Sequence, residues 1–452
     1  MRTHPRGVRP TIPLRASAAA AAGVLLLTGC GSTPQPTTGS GAAAAGGGGP
    51  VTVDLWDWDA AITPKVVEAF NASQKEFRFN FVRQASIEAA QSNFQNLMAS
   101  GGPAPCFVKG FTGLTSVVAQ GWGQDLTDLV RPKEADFSSG ARASAQVNGR
   151  YFGLPSGVDA QFMMVNKAVY DKAGVAVPKT WEEMLAIAPK LKAAGADTIN
   201  LPGEDPSGFI NMAQQSGAEW FAIDGDQWKI NLLDKGTTRA IAFYQKLIDN
   251  DWVSNETYKD RPALYAYFDS GKLADVPLAW WSMRGYATNF KQSKGHWLAV
   301  PNPTWADTPD AGVPGRTNPS FVPKGCEHPE AAVAFALFTA TPEGIKASKD
   351  PETGAVTFPA QVADPSQYAA DVVPDGLFAE PKEQVGKIVV ASQQRVIGKF
   401  ETGPNYNAWF PELQDQWGKA VARKQTLRQA LENVQKFITS DLDGKGINYT
   451  VG

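Results

Sequence analysis

Histidine and cysteine are scarce in this chain, with three of each among 452 residues. The histidines stand far apart, at His4, His296 and His328, and this spacing argues against a histidine-rich metal site. The sequence also has no pattern for a zinc protease helix, a P-loop, a dinucleotide-binding turn or a nucleophile elbow. These absences weaken several classes of enzyme, but they leave open a glycosidase that works with two carboxylates.

Positive charge is not in excess either. The net charge is -3 and the sequence pI is about 5.8, and no arginine-rich run or basic patch is present. The chain therefore lacks the electrostatic features expected of a nucleic-acid-binding protein. Beyond the N-terminal segment, long apolar runs are missing as well, since Ala331–Ala340 is too short to span a bilayer.

The N-terminal segment has the composition of an export signal. Four arginines lie between positions 2 and 15, and the short apolar run Ala16–Leu27 follows them. The segment ends in Leu27-Thr28-Gly29-Cys30, which resembles the lipobox of bacterial lipoproteins. The resemblance implies that residues 1–29 are removed and that Cys30 becomes a lipidated N-terminus. An ordinary signal peptide with a chance cysteine is the alternative.

A segment with little to bury follows, and we expect residues 30–50 to form a flexible tether. Gly31–Pro50 is uncharged, aperiodic and rich in glycine and alanine, so it cannot offset the entropy lost on ordering. From Val51 the composition is that of a globular protein. About 400 residues remain, which is more than one core normally supports, so two lobes are expected.

The globular part begins with an alternation of strands and helices. Val51–Trp56 and Phe77–Phe81 alternate with period two and predict strands, and Cys106–Val108 predicts a third. Thr63 with Pro64 predicts the N-terminus of the first intervening helix, with Thr63 as its cap. This order predicts an α/β lobe with a mainly parallel sheet.

Two later helices carry capping boxes. The pairs are Thr180 with Glu183 and Thr426 with Gln429. In a capping box the threonine hydroxyl accepts the backbone N–H of the residue three positions later, and the side chain of that residue accepts the backbone N–H of the threonine. The second of these helices has an apolar face from Leu427 to Ile438 and should pack on a lobe.

Several stretches along the chain share an order and spacing with one known family. The most specific block is Tyr151–Pro155 followed by Met164–Lys167 and Pro178–Trp181. Together with the remaining stretches, it resembles the extracellular solute-binding proteins of sugar ABC importers, the maltose-binding-like group. The remaining stretches are Thr52–Trp56, Phe268–Lys272, Trp280–Trp281, Phe321–Lys324, His328–Ala332 and Leu427–Ile438.

The resemblance implies a two-lobed α/β fold of the type II periplasmic-binding-protein kind, in which each lobe is a mainly parallel sheet flanked by helices. It implies that residues 51–157 and 318–360 form one lobe and residues 158–317 and 361–452 the other, with a hinge that the chain crosses several times. Ligand would bind in the cleft, and the lobes would close on it. A membrane permease would then take over the ligand.

The resemblance also bears on cysteines and cofactors. Family topology would place Cys106 at the start of a strand and Cys326 just after a neighbouring antiparallel one, so we expect a disulfide bond within the first lobe. Two buried free thiols are the alternative. No catalytic residue, metal or cofactor is implied. The expected protein is a monomer, anchored by its lipid on the extracytoplasmic face of the cell membrane.

Candidate ligand residues follow from the chemistry of sugars. Sugars present apolar C–H faces and a rim of hydroxyls, so a site needs flat aromatic rings together with carboxylates, amides or arginine. Loops at the carboxyl ends of parallel strands face the crevice of an α/β sheet. Trp58 and Asp59 follow the first predicted strand, and Lys109, Phe111 and Thr112 follow the third. We expect these side chains to form one wall of the site.

Family positions supply the other wall. Asp159 lies where the family's maltodextrin binders carry an acidic ligand residue, and it is the best polar candidate. One of Trp280 and Trp281 should stack on the sugar and the other should pack inside, with Trp281 preferred for stacking. The remaining candidates are Arg284 as a hydroxyl donor, Asn318 on the return crossing, and Tyr406 and Trp409 ahead of the late helices.

The expected function is the capture of a sugar or oligosaccharide for a membrane permease, without catalysis. A secreted lipoprotein glycoside hydrolase is one alternative, because among 45 acidic residues a catalytic pair can always be nominated. The same fold with a non-sugar solute, such as a peptide, a polyamine or a phosphate ester, is another. The 13 tryptophans and the family motifs favour a sugar.

Overall fold

The computed structural model describes residues 49–452 except 111–112, 157–158, 314, 317–318 and 398–401. The predicted signal sequence, Cys30 and nearly all of the predicted tether lie outside the described residues. So do Phe111, Thr112 and Asn318 from the candidate ligand residues.

Strands are distributed along the whole described chain. They are β1 (Val51–Asp57), β2 (Phe77–Arg83), β3 (Phe107–Val108), β4 (Gln146–Val147), β5 (Arg150–Tyr151), β6 (Asp159–Asn166), β7 (Ile199–Asn200), β8 (Phe221–Asp224), β9 (Gln227–Ile230), β10 (Val253–Ser254), β11 (Asp275–Ala279), β12 (Trp297–Val300), β13 (Gly315–Arg316) and β14 (Tyr449–Val451).

Helices separate most of these strands and form the C-terminal part. They are α1 (Thr63–Ser73), α2 (Ile87–Ser100), α3 (Leu114–Ala119), α4 (Thr127–Val130), α5 (Ser139–Ser144), α6 (Lys167–Ala173), α7 (Trp181–Ala193), α8 (Ser207–Gln215), α9 (Lys235–Asp249), α10 (Arg261–Asp269), α11 (Ser282–Asn289), α12 (Pro329–Thr339), α13 (Pro342–Ala347), α14 (Lys382–Gln394), α15 (Tyr406–Val421) and α16 (Leu427–Lys445). No helix in the described ranges has the length and apolar character needed to cross a membrane.

A parallel sheet in the order β2-β1-β3 forms the centre of the first lobe. β1 is its middle strand, and Leu55 lies opposite both Phe81 of β2 and Phe107 of β3. Val108 and Phe321 then exchange two antiparallel backbone hydrogen bonds of 2.9 and 3.0 Å, so a segment from late in the sequence returns to this sheet. The parallel strands direct their carboxyl ends toward one edge, where the loop after β1 begins.

Phenylalanine rings fill the space between this sheet and helices α1 and α12. The ring of Phe335 on α12 lies 5.4 Å from that of Phe70 on α1 and 5.1 Å from that of Phe79 on β2, measured between centroids. Tilted and edge-to-face pairs of this kind add stability beyond the area they bury. The first lobe therefore has a complete apolar core of its own.

The second lobe is built on β6, which lies between β11 and β12 and runs antiparallel to both. A parallel bridge between Asp197 and Leu273 joins the segment of β7 to β11, and β10 pairs in parallel with β7. Strands β7, β10, β11 and β12 thus share one direction, and β6 alone opposes them. The expected mainly parallel sheet is confirmed, with the antiparallel β6 as the exception.

Tryptophans are central to the core of the second lobe. Trp220, Trp297 and Trp417 are fully buried, and Trp181 on α7 is 5% exposed. The indole N–H of Trp417 donates to the carbonyl oxygen of Pro202 at 2.8 Å, so burial does not leave that donor unpaired. The predictions that Trp181 and Trp417 belong to the core are confirmed.

Both predicted capping boxes are present. At the start of α7 the hydroxyl of Thr180 accepts the N–H of Glu183 at 3.1 Å, and the carboxylate of Glu183 accepts the N–H of Thr180 at 3.3 Å. Thr426 and Gln429 form the same reciprocal pair at the start of α16. Because these hydrogen bonds pair backbone N–H groups at the helix N-termini, they determine where the two long helices begin.

A disulfide bond connects two distant parts of the first lobe. The sulfur atoms of Cys106 and Cys326 are 1.99 Å apart, and the bond closes a separation of 220 residues. Cys106 comes directly before β3, and Cys326 follows the segment that pairs with β3 through Phe321. The covalent link therefore lies beside the hydrogen bonds that hold this returning segment to the sheet.

Candidate functional site

A cavity of about 2180 Å³ is lined by residues of both lobes. The loops after β1 and β3 contribute from the first lobe, and the segments after β7 and β11 and the start of α15 contribute from the second. Eight of the twelve ligand residues predicted from the sequence line it, namely Trp58, Asp59, Lys109, Asp159, Trp280, Trp281, Arg284 and Tyr406.

Asp57 organises the first-lobe wall. The residue is 3% exposed, and its Oδ2 accepts hydrogen bonds from the hydroxyl of Thr63 at 2.5 Å and from Nζ of Lys109 at 3.1 Å. Nζ of Lys109 also lies 5.3 Å from the centroid of the Trp58 ring. An ammonium so close to an aromatic face is attracted by the ring quadrupole. Lys109 and Trp58 therefore form one fixed surface of the cavity.

The helix cap at this wall differs from the prediction. Thr63 was expected to cap α1, but the helix includes Thr63, and the side chain donates to Asp57 instead. Ile62 precedes the helix, whose N-terminus has no side-chain cap, and Oδ1 of Asp59 accepts the backbone N–H groups of Ala61 and Ile62 in the preceding turn, at 3.0 and 3.2 Å. The carboxylate of Asp59 is thereby held in one orientation at the rim.

The second-lobe wall centres on Asp159 and the tryptophan pair. The indole N–H of Trp280 donates to Oδ1 of Asp159 at 2.6 Å, and the Trp280 ring packs 6.3 Å from that of Phe358. Trp281 is 51% exposed and lines the cavity. One tryptophan of the pair is therefore held by protein contacts, and the other offers a free ring face to a ligand.

Arg284 lies between the two walls. Its guanidinium is 3.6 Å from Oδ2 of Asp59 and 3.7 Å from Oδ2 of Asp350. Burial acts to raise the pKa of Asp350, but the backbone hydrogen bonds from Thr353 and Glu352 and the nearby Arg284 together hold it below its usual value. Asp350 is therefore a stable anionic partner for Arg284.

The N-terminal turn of α15 closes another part of the cavity. Tyr406 stacks on Phe410 with 4.8 Å between ring centroids, and both line the cavity. Nε2 of Gln91 on α2 donates to Oδ1 of Asn407 at 3.1 Å, which links the two lobes directly.

Trp409 is not in the cavity wall, and the prediction for this residue is wrong. It is 2% exposed, and its ring lies 5.3 Å from that of Phe221. Its indole N–H donates to the carbonyl oxygen of Thr402 at 3.2 Å. Its side chain is part of the second-lobe core, and its ring contacts that of Tyr406, with 5.1 Å between centroids.

The sequence did not identify a group of residues that line the cavity beyond β7. Oε1 of Glu204 accepts the backbone N–H of Tyr258 and the hydroxyl of Thr257, both at 2.6 Å. Burial acts to raise the pKa of Glu204, but these hydrogen bonds lower it overall. The guanidinium of Arg261 lies 4.9 Å from the centre of the Tyr258 ring. β7 and β10 have two residues each, too few for a periodic signal.

Charge in the cavity wall is nearly balanced. The lining residues include eight Asp and Glu and six Lys and Arg, so there is no excess of cations. Across the described ranges, no group of three or more His, Cys, Asp or Glu side chains is arranged to hold a metal ion. The site combines aromatic faces with hydrogen-bonding groups of both kinds, which is the chemistry suited to a neutral, hydroxyl-rich ligand.

The family of the chain is shown by comparison with known proteins. Residues 65–373 match the model of the bacterial extracellular solute-binding proteins, and this is more than half of the chain. The protein belongs to this family, and the resemblance seen in its motifs is confirmed.

Curated relatives match parts of the sequence. The diacetylchitobiose-binding protein DasA of Streptomyces coelicolor is 26% identical over 270 residues, which are 58% of this chain and 61% of DasA. The arabinooligosaccharide-binding protein of Halalkalibacterium halodurans is 24% identical over 221 residues, 47% of this chain and 48% of the relative. The matches thus span about half to three fifths of the length of these relatives.

A solved structure matches nearly the whole fold. The galacto-N-biose-/lacto-N-biose I-binding protein of an ABC transporter from Bifidobacterium longum, in complex with lacto-N-biose, gives a TM-score of 0.76 at 20% identity. The match covers 90% of this chain and 100% of that protein. The two-lobed fold of the periplasmic sugar-binding proteins is therefore the fold of this chain.

Proposed function

We propose that the protein captures a sugar or short oligosaccharide between its lobes and passes it unchanged to the permease of an ABC importer. The composition of the cavity wall carries this proposal. The exposed ring of Trp281 can cover the apolar face of a sugar, while Asp159, Glu204 and Lys109 can pair with hydroxyls. The named relatives bind carbohydrates, which supports the same ligand class here.

We propose that the ligand contacts Trp58, Lys109, Asp159, Trp280, Trp281 and Tyr406. All of them line the cavity, and they belong to both lobes. Contacts to both lobes are required if ligand binding is to drive closure. For the lobe boundaries we propose 51–157 with 318–360 and 158–317 with 361–452. The separate apolar cores support this division, apart from Phe358 and Ala360, which pack in a core of the second lobe.

Calorimetric titration against a panel of neutral mono- and oligosaccharides tests the proposal. The four apolar clusters all lie between Val53 and Leu442, so protein that begins at Pro50 keeps its cores whole. Saturable binding of one sugar per protein, with the sugar recovered intact, is expected. A folded protein that binds no sugar but binds a phosphate ester or a peptide would contradict the proposal.

The same experiment addresses the hydrolase alternative. Chromatography of each oligosaccharide after long incubation would reveal shorter products if the carboxylates of the cavity act as a catalytic pair. We expect no products, because the proposed function needs only reversible binding. Accumulation of products at a rate proportional to protein concentration would favour the enzyme.

We further propose that the protein is a monomer and is anchored through a diacylglyceryl group on Cys30. The basic residues, the apolar run and the Leu-Thr-Gly-Cys ending support this proposal. A lipid tether would keep the binding protein close to its permease and raise its effective concentration there. Replacing Cys30 by Ser should release the protein from the membrane fraction. Unchanged membrane association would rule the anchor out.

A further inference from the structure

Arg284 joins two parts of the molecule that are held by separate cores. Its helix, α11, is anchored in the second lobe by the buried side chains of Met283 and Tyr286. Its guanidinium reaches Asp59, at the rim of the first lobe, and Asp350. The sequence suggested that Arg284 donates to ligand hydroxyls. The structure instead directs its charge toward two carboxylates of the protein.

Both carboxylates are oriented before they meet Arg284. Oδ1 of Asp59 accepts two backbone N–H groups of the following turn, at 3.0 and 3.2 Å. Oδ1 of Asp350 accepts two backbone N–H groups of its own turn, both at 2.9 Å. In each residue the other oxygen, Oδ2, faces the guanidinium. Side chains that are already oriented lose less entropy when an ion pair forms. These two pairs should therefore stabilise the protein more than an ordinary surface ion pair does.

The two carboxylates are not equivalent. Asp59 is hydrogen-bonded to the turn that leads into α1, and α1 belongs to the first lobe. Asp350 lies between α13, which packs on α1, and Phe358, which belongs to the core of the second lobe. Asp350 therefore lies where the chain passes from one core to the other, so we expect hinge motion to displace it from Arg284 less than it displaces Asp59. Opening of the cleft would separate Arg284 from Asp59.

We propose that Arg284 and Asp59 form an ion-pair latch across the cleft, aimed by Asp350, which stabilises the closed arrangement of the lobes. The latch raises ligand affinity without touching the ligand, because it favours the conformation that binds. This effect on affinity rests on the proposed function. The effect on closure does not, and it can be measured with no sugar present.

Closure is measured by small-angle scattering of protein from Pro50 onward, without added sugar. Raising NaCl from about 0.01 M to about 1 M shortens the Debye length from about 30 Å to about 3 Å and should weaken the latch. The radius of gyration of the wild type is expected to rise with salt. Arg284→Gln should have the larger radius already at low salt and should not change further. Equal radii for wild type and Arg284→Gln at every salt concentration would overturn the latch.

Two variants are matched controls for closure. Arg239→Gln removes a cation that pairs with Glu182 and Asp307 within the second lobe, so it should behave as the wild type. Gln91→Ala removes the uncharged contact to Asn407 across the cleft, so it should shift the radius equally at all salt concentrations. A salt response lost in Arg239→Gln as well would show that general charge effects, and not the latch, cause it.

Affinity provides the second readout, with the neutral sugar identified by calorimetry as the probe. Binding of an uncharged sugar should not depend on salt unless binding itself forms an ion pair. The Kd of the wild type is expected to rise about 2- to 5-fold with salt, as for a partly exposed pair. Asp59→Asn keeps a side-chain oxygen that can accept the N–H groups of Ala61 and Ile62 but removes the charge. At low salt, this variant should already have the Kd that the wild type reaches at high salt. Its Kd should not change further as salt is added.

The double variant distinguishes a latch from direct ligand contact. If Arg284 acts through Asp59, then Arg284→Gln with Asp59→Asn should bind no more weakly than either single variant. A salt-independent wild-type Kd, with Arg284→Gln weakened and Asp59→Asn unaffected, would show that Arg284 donates to the sugar and would overturn the inference. If no sugar binds, the proposed function fails, and the scattering experiment still decides the latch.

Discussion

The indole N–H of Trp280 donates a 2.6 Å hydrogen bond to Asp159, a residue 121 positions earlier in the sequence. Antiparallel pairing of β6 with β11 brings the two together, since Gln161 on β6 lies opposite Ala279 on β11. The hydrogen bond and the packing on Phe358 hold Trp280 against the second lobe. The next residue, Trp281, is consequently free to present its ring to the cavity.

We predict that Trp281→Ala lowers the affinity for the captured sugar by about 10- to 30-fold, because the ring supplies the apolar platform of the site. Trp281 is 51% exposed, so the free energy of unfolding should change by only about 0.5 kcal/mol. Calorimetric titration and denaturant unfolding of the same preparations measure the two quantities.

Trp280→Phe is the matched control for that prediction. It keeps an aromatic ring beside Phe358 but removes the donor to Asp159, so it should weaken binding less than Trp281→Ala does. Wild-type affinity in Trp281→Ala combined with a large loss in Trp58→Ala would place the stacking surface on the first lobe instead.

Substitutions at Trp409 and Tyr406 should have opposite consequences. Trp409→Ala removes a ring that is 2% exposed and should lower the free energy of unfolding by about 3–5 kcal/mol. Tyr406→Ala removes a ring that lines the cavity, so it should weaken ligand binding with a smaller effect on stability. Thermal unfolding and calorimetric titration of both variants compare the effects. Normal stability in Trp409→Ala would contradict its position in the core.

The error at Trp409 shows where sequence periodicity stops being informative. Helix α15 has two aromatic or apolar stripes, one through Tyr406 and Phe410 and one through Trp409, Leu413 and Trp417. Helical spacing identifies both stripes but does not say which one faces a cavity. In the structure the first lines the cavity, and the second is buried. Only the packing of α15 on the second-lobe core decides between them.

Features that depend on a few neighbouring residues were predicted best. The strands at Val51 and Phe77 and the capping boxes at Thr180 and Thr426 follow from local pattern and are present. Trp58, Asp59 and Lys109 were located because carboxyl ends of parallel strands meet at one edge. Long-range pairings were not accessible in this way, since nothing local to Asp159 indicates Trp280 as its partner.

Some tryptophans were left unassigned for the same physical reason. Trp220, Trp297 and Trp305 could not be placed from the sequence. In the structure the indole N–H of Trp220 donates to Thr237, and that of Trp297 donates to Ser293. A buried indole N–H needs a hydrogen-bond acceptor, and here each acceptor is a single hydroxyl group. Serine and threonine are so common in the sequence that the one that accepts cannot be identified from it.

The Cys106–Cys326 bond should stabilise the first lobe. It closes a separation of 220 residues, and removal of a native disulfide typically costs about 2–5 kcal/mol. Cys106→Ser with Cys326→Ser should therefore lower the free energy of unfolding by an amount in this range while leaving sugar affinity nearly unchanged. Denaturant unfolding at matched ligand-free conditions measures the loss.

Peptide mass spectrometry without reduction checks the bond itself. A cross-linked peptide pair containing Cys106 and Cys326 is expected from freshly exported protein. Two alkylated free thiols would show that the bond is absent, and the double serine variant should then be nearly as stable as the wild type.

A buried carboxyl should make stability depend on pH. Asp275 is fully buried, and the hydroxyl of Tyr170 donates to Oδ1 and Oδ2 at 2.9 and 3.0 Å. Burial raises the pKa of Asp275 from 3.8 to about 8, and the hydrogen bond from Tyr170 opposes this only in part. In the folded protein the carboxyl group is therefore neutral over most of the physiological pH range.

The direction of the pH effect follows from proton binding. Unfolded chains lose this proton near pH 3.8 and folded chains near pH 8, so between these values the folded state binds more protons. The contribution of Asp275 to stability is complete below pH 3.8 and is lost progressively as the pH rises to about 8. The slope should approach, but not exceed, about 1.4 kcal/mol per pH unit.

Asp275→Asn removes this titration while keeping the shape of the side chain and an acceptor for Tyr170. Denaturant unfolding of wild type and variant at several pH values should give curves that diverge in favour of the variant as the pH rises. The difference should level off above pH 8, where Asp275 is ionised in both states. Parallel curves across this range would mean that Asp275 is charged in the folded protein, with Tyr170 and the surrounding backbone stabilising the anion. Measuring Tyr170→Phe over the same range separates these cases, because loss of the hydroxyl donor destabilises a buried anion far more than a neutral carboxyl group.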